Sequence, residues 1–305
     1  MSDEGMGIQQ PQPEVTAKVN SAELLSNWEK KVERARDIEV IAQIGARTDL
    51  GRVRENNEDK FEFFIPEDPD ILAKKGRLYA VADGMGGHSA GQIASEVALK
   101  SIIDFYYSDD SPLIEESLKA ALKQANGMVF DLSRAIPDRQ GMGTTATVLI
   151  IRGDEAYIAQ VGDSRCYRVR ENKIEQISED HSWVNEQVKL GALTVEQAMM
   201  SPFKNIITRS IGNAPNVDVD VFSLPVEEGY IFILCSDGLS NEVTDNQIRD
   251  AVIKASPSQA AWELVKTALE HGGRDNTTVF IVAVRELIKE KAPKKKGLFS
   301  FLGGG

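Results

Sequence analysis

The pattern of hydrophobic and polar positions changes texture along the chain. Residues 1–20 are polar, with Pro11 and Pro13, and show no periodicity. Residues 21–36 place Leu25, Trp28, Val32 and Ala35 at helical spacing behind Ser21, a residue type that caps helix N-termini. From Glu39 the chain reads as short β-rich runs at 39–46, 60–65, 77–82, 144–152, 155–161, 165–170, 230–236 and 278–284. The runs 147–151 and 231–235 are almost wholly apolar, as strands buried on both faces are. Arg152-Gly153-Asp154 and Glu171-Asn172-Lys173 supply hairpin turns.

Helical periodicity interrupts the strands. Residues 90–107 place Ile93, Val97, Ile102 and Phe105 on one side, and 112–134 follow Ser111-Pro112, an N-cap with Pro in the first turn. Thr244-Asp-Asn-Gln247 and Ser256-Pro-Ser-Gln259 match the capping box, so each opens a helix. The order is two helices after the first strands, many strands, two more helices and a last strand. That order predicts an α+β fold, a β-sandwich with helices on its outer faces. No linker interrupts residues 39–286, which we read as one domain, preceded by an extension (1–38) with one helix and followed by a basic flexible tail (287–305).

Composition narrows the function. Apolar residues make up 42% and charged residues 27%, as in globular proteins. Acidic residues number 47 against 35 basic, a formal net charge of −12, which argues against nonspecific nucleic-acid binding. The stretch 289–305 runs the other way, with five lysines and one glutamate, so it is either a solvated tail or a weak contact for an anionic membrane or a partner. Cys166 and Cys235 make no disulfide framework. No run of about 20 apolar residues exists and the first residues do not read as a signal peptide, so a cytoplasmic protein is expected.

The chemistry concentrates where apolar strands stop. The run 78–82 leads into Asp83-Gly84-Met85-Gly86-Gly87-His88, 231–235 into Ser236-Asp237-Gly238, and 156–161 into Gly162-Asp163-Ser164-Arg165. Asp275 and Asp59 each precede a strand. One Asp-Gly is an ordinary turn. Five such sites in one sandwich would crowd carboxylates together, and divalent cations relieve that conflict. The donors are oxygens. Neither cysteine has metal spacing, and His88, His181 and His271 are scattered, so Mg²⁺ or Mn²⁺ fits better than zinc. An aspartate bridging two ions would make a two-metal hydrolytic site. There is no P-loop and no nucleophile elbow, so activated water at the ions is the expected nucleophile.

Six ordered motifs then carry a resemblance: Thr48-Asp-Leu-Gly-Arg-Val-Arg-Glu-Asn-Asn-Glu-Asp59, Val81-Ala-Asp-Gly-Met-Gly-Gly-His88, Gly141-Met-Gly-Thr-Thr-Ala146, Val161-Gly-Asp-Ser-Arg165, Ser236-Asp-Gly-Leu239 and Gly273-Arg-Asp-Asn-Thr-Thr278. Over residues 39–286 the chain resembles the metal-dependent type 2C serine/threonine protein phosphatases (the PPM family), especially the bacterial branch. The resemblance implies a four-layer αββα sandwich, two antiparallel sheets flanked by helices, with two Mn²⁺ or Mg²⁺ ions between the sheets. It implies that Asp83 bridges the ions, that the Gly84 carbonyl binds the second ion, and that Asp237 and Asp275 complete the first ion's ligands. Glu58 and Asp59 match the acidic pair near the second ion. Asp163, with Asp237, matches a third, weaker position. Arg54 matches the arginine that holds the substrate phosphate, and His88 is the candidate general acid. The family's acid histidine directly follows the Asp-Gly, where this chain has Met85.

The same resemblance implies hydrolysis of phosphoserine and phosphothreonine in proteins by a metal-bridging hydroxide, opposite a cognate Ser/Thr kinase, by a monomer that binds no nucleic acid. Residues 182–208 match the family's variable flap, and Thr194-Val-Glu-Gln197 caps a short helix there. A phosphatase-like binding module without catalysis would have lost the metal carboxylates, and Asp83, Asp237 and Asp275 are all present.

Overall fold

A computed structural model of the chain describes residues 21–87 and 89–289. In chain order the elements are α1 (Ser21–Arg36), β1 (Ile38–Asp49), β2 (Lys60–Phe64), α2 (Pro69–Lys75), β3 (Arg77–Ala82), β4 (Gly84–Met85), α3 (Ala90–Ser108), α4 (Ile114–Ala135), β5 (Gly143–Thr144), β6 (Ala146–Arg152), β7 (Glu155–Val161), β8 (Arg165–Arg170), β9 (Lys173–Gln176), α5 (Trp183–Lys189), α6 (Val195–Met199), β10 (Asp220–Pro225), β11 (Ile231–Cys235), α7 (Asp237–Ser240), α8 (Asp245–Lys254), α9 (Pro257–Glu270) and β12 (Thr277–Lys289).

Two five-stranded antiparallel sheets form, in the orders β1-β12-β11-β8-β9 and β10-β7-β6-β3-β2. The apolar strands explain why the sheets lie between helices. On β3, Tyr79 and Val81 face the other sheet while Leu78, Ala80 and Ala82 meet α3 and α4. On β11, Phe232 and Leu234 point inward while Ile231, Ile233 and Cys235 meet α8 and α9. A strand covered on both faces loses the usual alternation, which accounts for the near-continuous apolar runs. The α+β sandwich with helices on its outer layers is the expected architecture.

Capping chemistry sets the helix starts. Thr244 and Ser256 close complete capping boxes with Gln247 and Gln259, and Thr194 does the same with Gln197. The hairpin signals also hold. Gly153-Asp154 separates β6 from β7, and Glu171 (φ 46°) and Asn172 (φ 66°) both adopt the left-handed conformation between β8 and β9.

The structure departs from the sequence reading at four places. The Ser111-Pro112 signal sits two residues early: α4 begins at Ile114, and Ser111 Oγ accepts the N–H of Leu113 at 3.3 Å. The edge strand β10 was not expected, because it mixes polar and apolar residues and ends in Pro225. The short α2 was not expected either, although Asp68 caps it and Pro69 opens it. Finally, β12 extends to Lys289, so residues 287–289 are strand and not tail. Residues 290–305, and the side chain of the Ser21 cap, lie outside what is described. Helix α1 packs with Val32 buried and Leu25 half exposed, and salt bridges from Lys31 to Glu155 and from Arg34 to Asp154 tether it to the β6–β7 turn.

Phe280 on β12 is the hinge pin of the inter-sheet layer, packed against Phe61, Phe63 and Tyr79 at centroid distances of 5.6–6.0 Å. Phe280→Ala is expected to cost about 3–5 kcal/mol in urea unfolding. A loss below about 1 kcal/mol would contradict the assigned packing.

Candidate active site

Each of five aspartates stands at or next to the end of an apolar element: Asp59 before β2, Asp83 after β3, Asp163 between β7 and β8, Asp237 at the start of α7, and Asp275 before β12. The sandwich brings them to one rim, where the Asp83 carboxyl feels the charges of Asp59, Asp237, Asp163 and Asp275.

Polar clamps set each position. The N–H of Asp83 donates to Thr145 Oγ1 at 2.8 Å, while its carbonyl accepts from Thr145 N–H and Thr144 Oγ1 at 2.9 Å each. Asn276 donates to the carbonyls of Leu50 and Asn56 and accepts the N–H of Glu58 at 2.8 Å, which ties the loop before β2 to the start of β12. Ser236 Oγ accepts Thr278 N–H at 2.9 Å and donates to Asp59 Oδ2 at 2.7 Å. Gly84 packs against α3 so closely that a Cβ would lie 2.2 Å from the carbonyl oxygen of Gly91. Gly91 in turn lets the Glu58 carboxylate approach, since a Cβ there would lie 2.5 Å from Oε2.

The electrostatics are those of crowded, buried anions. Burial, opposed by hydrogen bonds from Ser236 and Thr278, pushes the Asp59 carboxyl up to about 7. Burial and then the Asp237 charge push Asp163 up to about 8. Asp83 is raised well above the ordinary carboxylate range, first by burial and then by its acidic neighbours, and Asp237 is raised by burial and then by Asp275. Among the described residues, Asp59 Oδ1, Asp163 Oδ1 and Asp237 Oδ1 are buried without a hydrogen-bond partner. A partnerless buried carboxylate oxygen is costly unless a cation or donor faces it. Among the described residues no three acidic, histidine or cysteine side chains already close into a ligand set. The fit to hard dications therefore rests on the all-oxygen donor set and on those three oxygens.

At the mouth, Arg54 Nη2 donates to Asp275 Oδ2 at 2.7 Å, both side chains being partly exposed. Glu58, almost buried, lies close enough to influence the Arg54 guanidinium. His88, the candidate general acid, lies outside the described residues. The flap carries α5 and α6. From it Lys204 Nζ reaches Asn241 Oδ1 at 3.4 Å, and Asn241 Nδ2 donates to Asp237 Oδ2 at 3.0 Å. The sequence reading gave no role to Ser236 and Asn276, which lie inside the quoted motifs, or to Gly91, which follows one closely. Thr145 supports the site through hydrogen bonds with the Asp83 backbone.

Comparison with known proteins follows from this geometry. Residues 52–272 match the family model described as Protein phosphatase 2C. The serine/threonine phosphatase Stp of Listeria welshimeri is 37% identical over 241 residues, 77% of this chain and 93% of that one. The structure of the S. agalactiae serine/threonine phosphatase superposes with a TM-score of 0.74 at 36% identity, covering 80% of this chain and 100% of that one. The catalytic domain of the serine/threonine protein phosphatase PstP, solved in complex with two manganese ions, superposes with a TM-score of 0.70 at 31% identity, covering 81% and 100%. Fold and site define a metal-dependent protein phosphatase. The chain belongs to the protein phosphatase 2C family, in the bacterial branch its motifs resemble.

The raised carboxyls make a pH prediction for metal-stripped protein. An unfolded aspartate titrates near pH 4, whereas folded Asp59 and Asp163 titrate near 7 and 8. Between those values the folded state binds more protons, so its stability falls as pH rises through about 4 to 8 and then levels. Urea unfolding in chelator at about pH 5 and about pH 8 is expected to show the loss, and Asp163→Asn to remove its upper part. A stability that rises over this window would contradict the assigned crowding.

Proposed function

We propose that this chain hydrolyses phosphoserine and phosphothreonine esters in proteins by direct attack of water on phosphorus, with Mn²⁺ or Mg²⁺ held by the carboxylate rim. One observation carries the reading: three buried aspartate oxygens, partnerless among the described residues, lie in a cluster whose mouth holds an arginine. In this reading Asp83 would serve both ions, Asp237 and Asp275 would complete the first, and the Gly84 carbonyl with Glu58 and Asp59 would serve the second. Asp163 with Asp237 takes a third, weaker one. Bound dications supply Lewis acidity at phosphoryl oxygens and bring the pKa of a water toward neutrality.

The chain's own residues do the rest. Arg54 uses one guanidinium N–H on Asp275. Its remaining donors suit two oxygens of a phosphoryl group in the bidentate geometry that favours arginine over lysine. The clamp helps fix the orientation of Asp59: Ser236 Oγ accepts the Thr278 N–H and donates to Asp59 Oδ2. That leaves Oδ1 as the free acceptor within the cluster. His88 is assigned the proton that the departing serine or threonine alkoxide requires. A cysteine nucleophile is disfavoured, since both thiols are fully buried in the sheets and burial pushes Cys235 up to about 12.

Relatives named as serine/threonine phosphatases support phosphoproteins as the substrate class. The same reading includes a Ser/Thr kinase as the opposing enzyme, a monomer, a cytoplasmic setting and a weak contact through the basic tail. Among the described residues no helix is long and apolar enough to cross a membrane.

Asp83→Asn and Asp237→Asn are each expected to lower Mn²⁺-dependent kcat/KM on a phosphothreonine peptide by about a thousandfold or more. Full turnover by either variant would remove the metal assignment. Arg54→Ala is expected to lower kcat/KM by about ten- to a hundredfold, mostly through KM, with Arg54→Lys recovering only part. An unchanged KM in both would remove Arg54 from phosphate binding.

A further inference from the structure

The segment between β9 and α5 holds a residue that the proposed mechanism does not use. His181 is only 4% exposed, and it sits between the carboxylate rim and both roots of the flap. Its Nδ1 accepts the N–H of Gly162 at 3.1 Å, and its own N–H donates to Gly162 O at 2.9 Å. A backbone N–H can only donate, so Nδ1 carries no proton and the ring proton sits on Nε2. Nε2 lies 3.0 Å from Asp220 Oδ2, on the first residue of β10. Arg209 Nη1 lies 3.4 Å from the same nitrogen, a donor facing a donor, and instead serves Asp220 Oδ1 at 3.1 Å. Burial lowers the imidazole pKa, in keeping with a neutral ring.

Gly162 immediately precedes Asp163, and the loop that carries both has little freedom. Gln160 Nε2 donates to Gly162 O at 3.0 Å and Ser164 O at 2.6 Å, and Ser164 Oγ pairs with Thr145 Oγ1 at 2.7 Å. Arg165 forks onto both oxygens of Asp180, the neighbour of His181, at 2.7–3.0 Å. Gly162 itself has φ +105°, and a Cβ there would lie 2.5 Å from Thr145 Cγ2. The loop is therefore pressed onto Thr145 on one side and hooked by His181 on the other. Thr145 also fixes Asp83, so the two contacts set where Asp163 stands relative to Asp83.

The flap's roots converge on the backbone of the same residue. Ser182, the next residue, caps α5, and Thr208 at the far end donates its N–H to His181 O at 2.8 Å.

We propose that His181 is a positioning residue: Asp220 fixes its tautomer, and its Nδ1 hooks Gly162 so that Asp163 is aimed into the carboxylate rim. The inference rests on the reading above in which Asp163 holds a cation. It requires that losing the Nδ1 acceptor weaken one ion selectively, whereas a merely structural role would weaken all alike.

The test is Mn²⁺ titration of the chelator-stripped full chain, followed by the electron paramagnetic resonance of free Mn²⁺. Asp163→Asn marks the ion that depends on Asp163. His181→Asn can place an amide oxygen where Nδ1 accepts, whereas His181→Gln reaches Asp220 and leaves Gly162 without a partner. His181→Gln is expected to weaken the Asp163-dependent ion by about tenfold or more, and His181→Asn to stay within about threefold of wild type, with the other ions unchanged in both. Wild-type binding by His181→Gln, or equal weakening of every ion, would overturn the proposal. If His181→Gln does not fold by circular dichroism, Asp220→Leu keeps the ring but frees its tautomer. It must then show the same selective loss, and wild-type binding by it would overturn the proposal too. A wild type that binds Mn²⁺ equally with and without Asp163→Asn would refute the cation at Asp163, and this role with it. A wild type that binds no Mn²⁺ would refute the proposed function itself.

Discussion

The burial of neighbouring carboxylates, with their mutual repulsion added to it, is the constraint on which the rest of this structure depends. Asp59, Asp83, Asp163 and Asp237 all carry raised pKa values, each first through burial. Without counter-charge such a cluster opposes folding. It persists because strands covered on both faces leave its backbone no room to retreat. Phe232, Leu234 and Phe280 fill one side of their sheet, and α8 and α9 cover the other. Packing between the sheets and against the helices supplies the stabilisation, and the buried cluster takes some of it back.

The polar clamps convert that packing into aim. Thr145 serves two carboxylates at once, holding the backbone of Asp83 and pairing with Ser164 beside Asp163. Asn276 spans from β12 to the loop that bears Glu58 and Arg54. Ser236 links Asp59 to β12 through one hydroxyl. None of these residues presents a charge of its own, so each orients its neighbours without adding to the repulsion. Arg54 stands apart from this scheme. It is half exposed and, among the described residues, its ion pair is with Asp275.

Much of the fold was legible because apolar runs and capping boxes are local signals. The runs 147–151 and 231–235 became central strands, and Thr244 and Ser256 cap helices as read. What escaped depends on tertiary contact. β10 is held by pairing with β7 more than by its own pattern, and α2 is too short for periodicity to register. The gathering of five aspartates was legible from their shared place at strand ends, whereas their supports were not. Ser236 and Asn276 look like ordinary turn residues until the strands bring them beside Asp59 and Glu58. His181 counted in the sequence only as a histidine without metal spacing, and its buried pairing with Gly162 and Asp220 exists only in three dimensions.

The central claim is that this rim holds protons in place of cations and exchanges one for the other. Calorimetry of Mn²⁺ binding to chelator-stripped protein, run in buffers of different ionisation enthalpy, tests it most directly. With Asp59 near 7 and Asp163 near 8, binding at about pH 6.5 should release at least about one proton per chain, and fewer at about pH 9. Binding heats that do not depend on the buffer at either pH would mean that no protons leave, and would contradict the account.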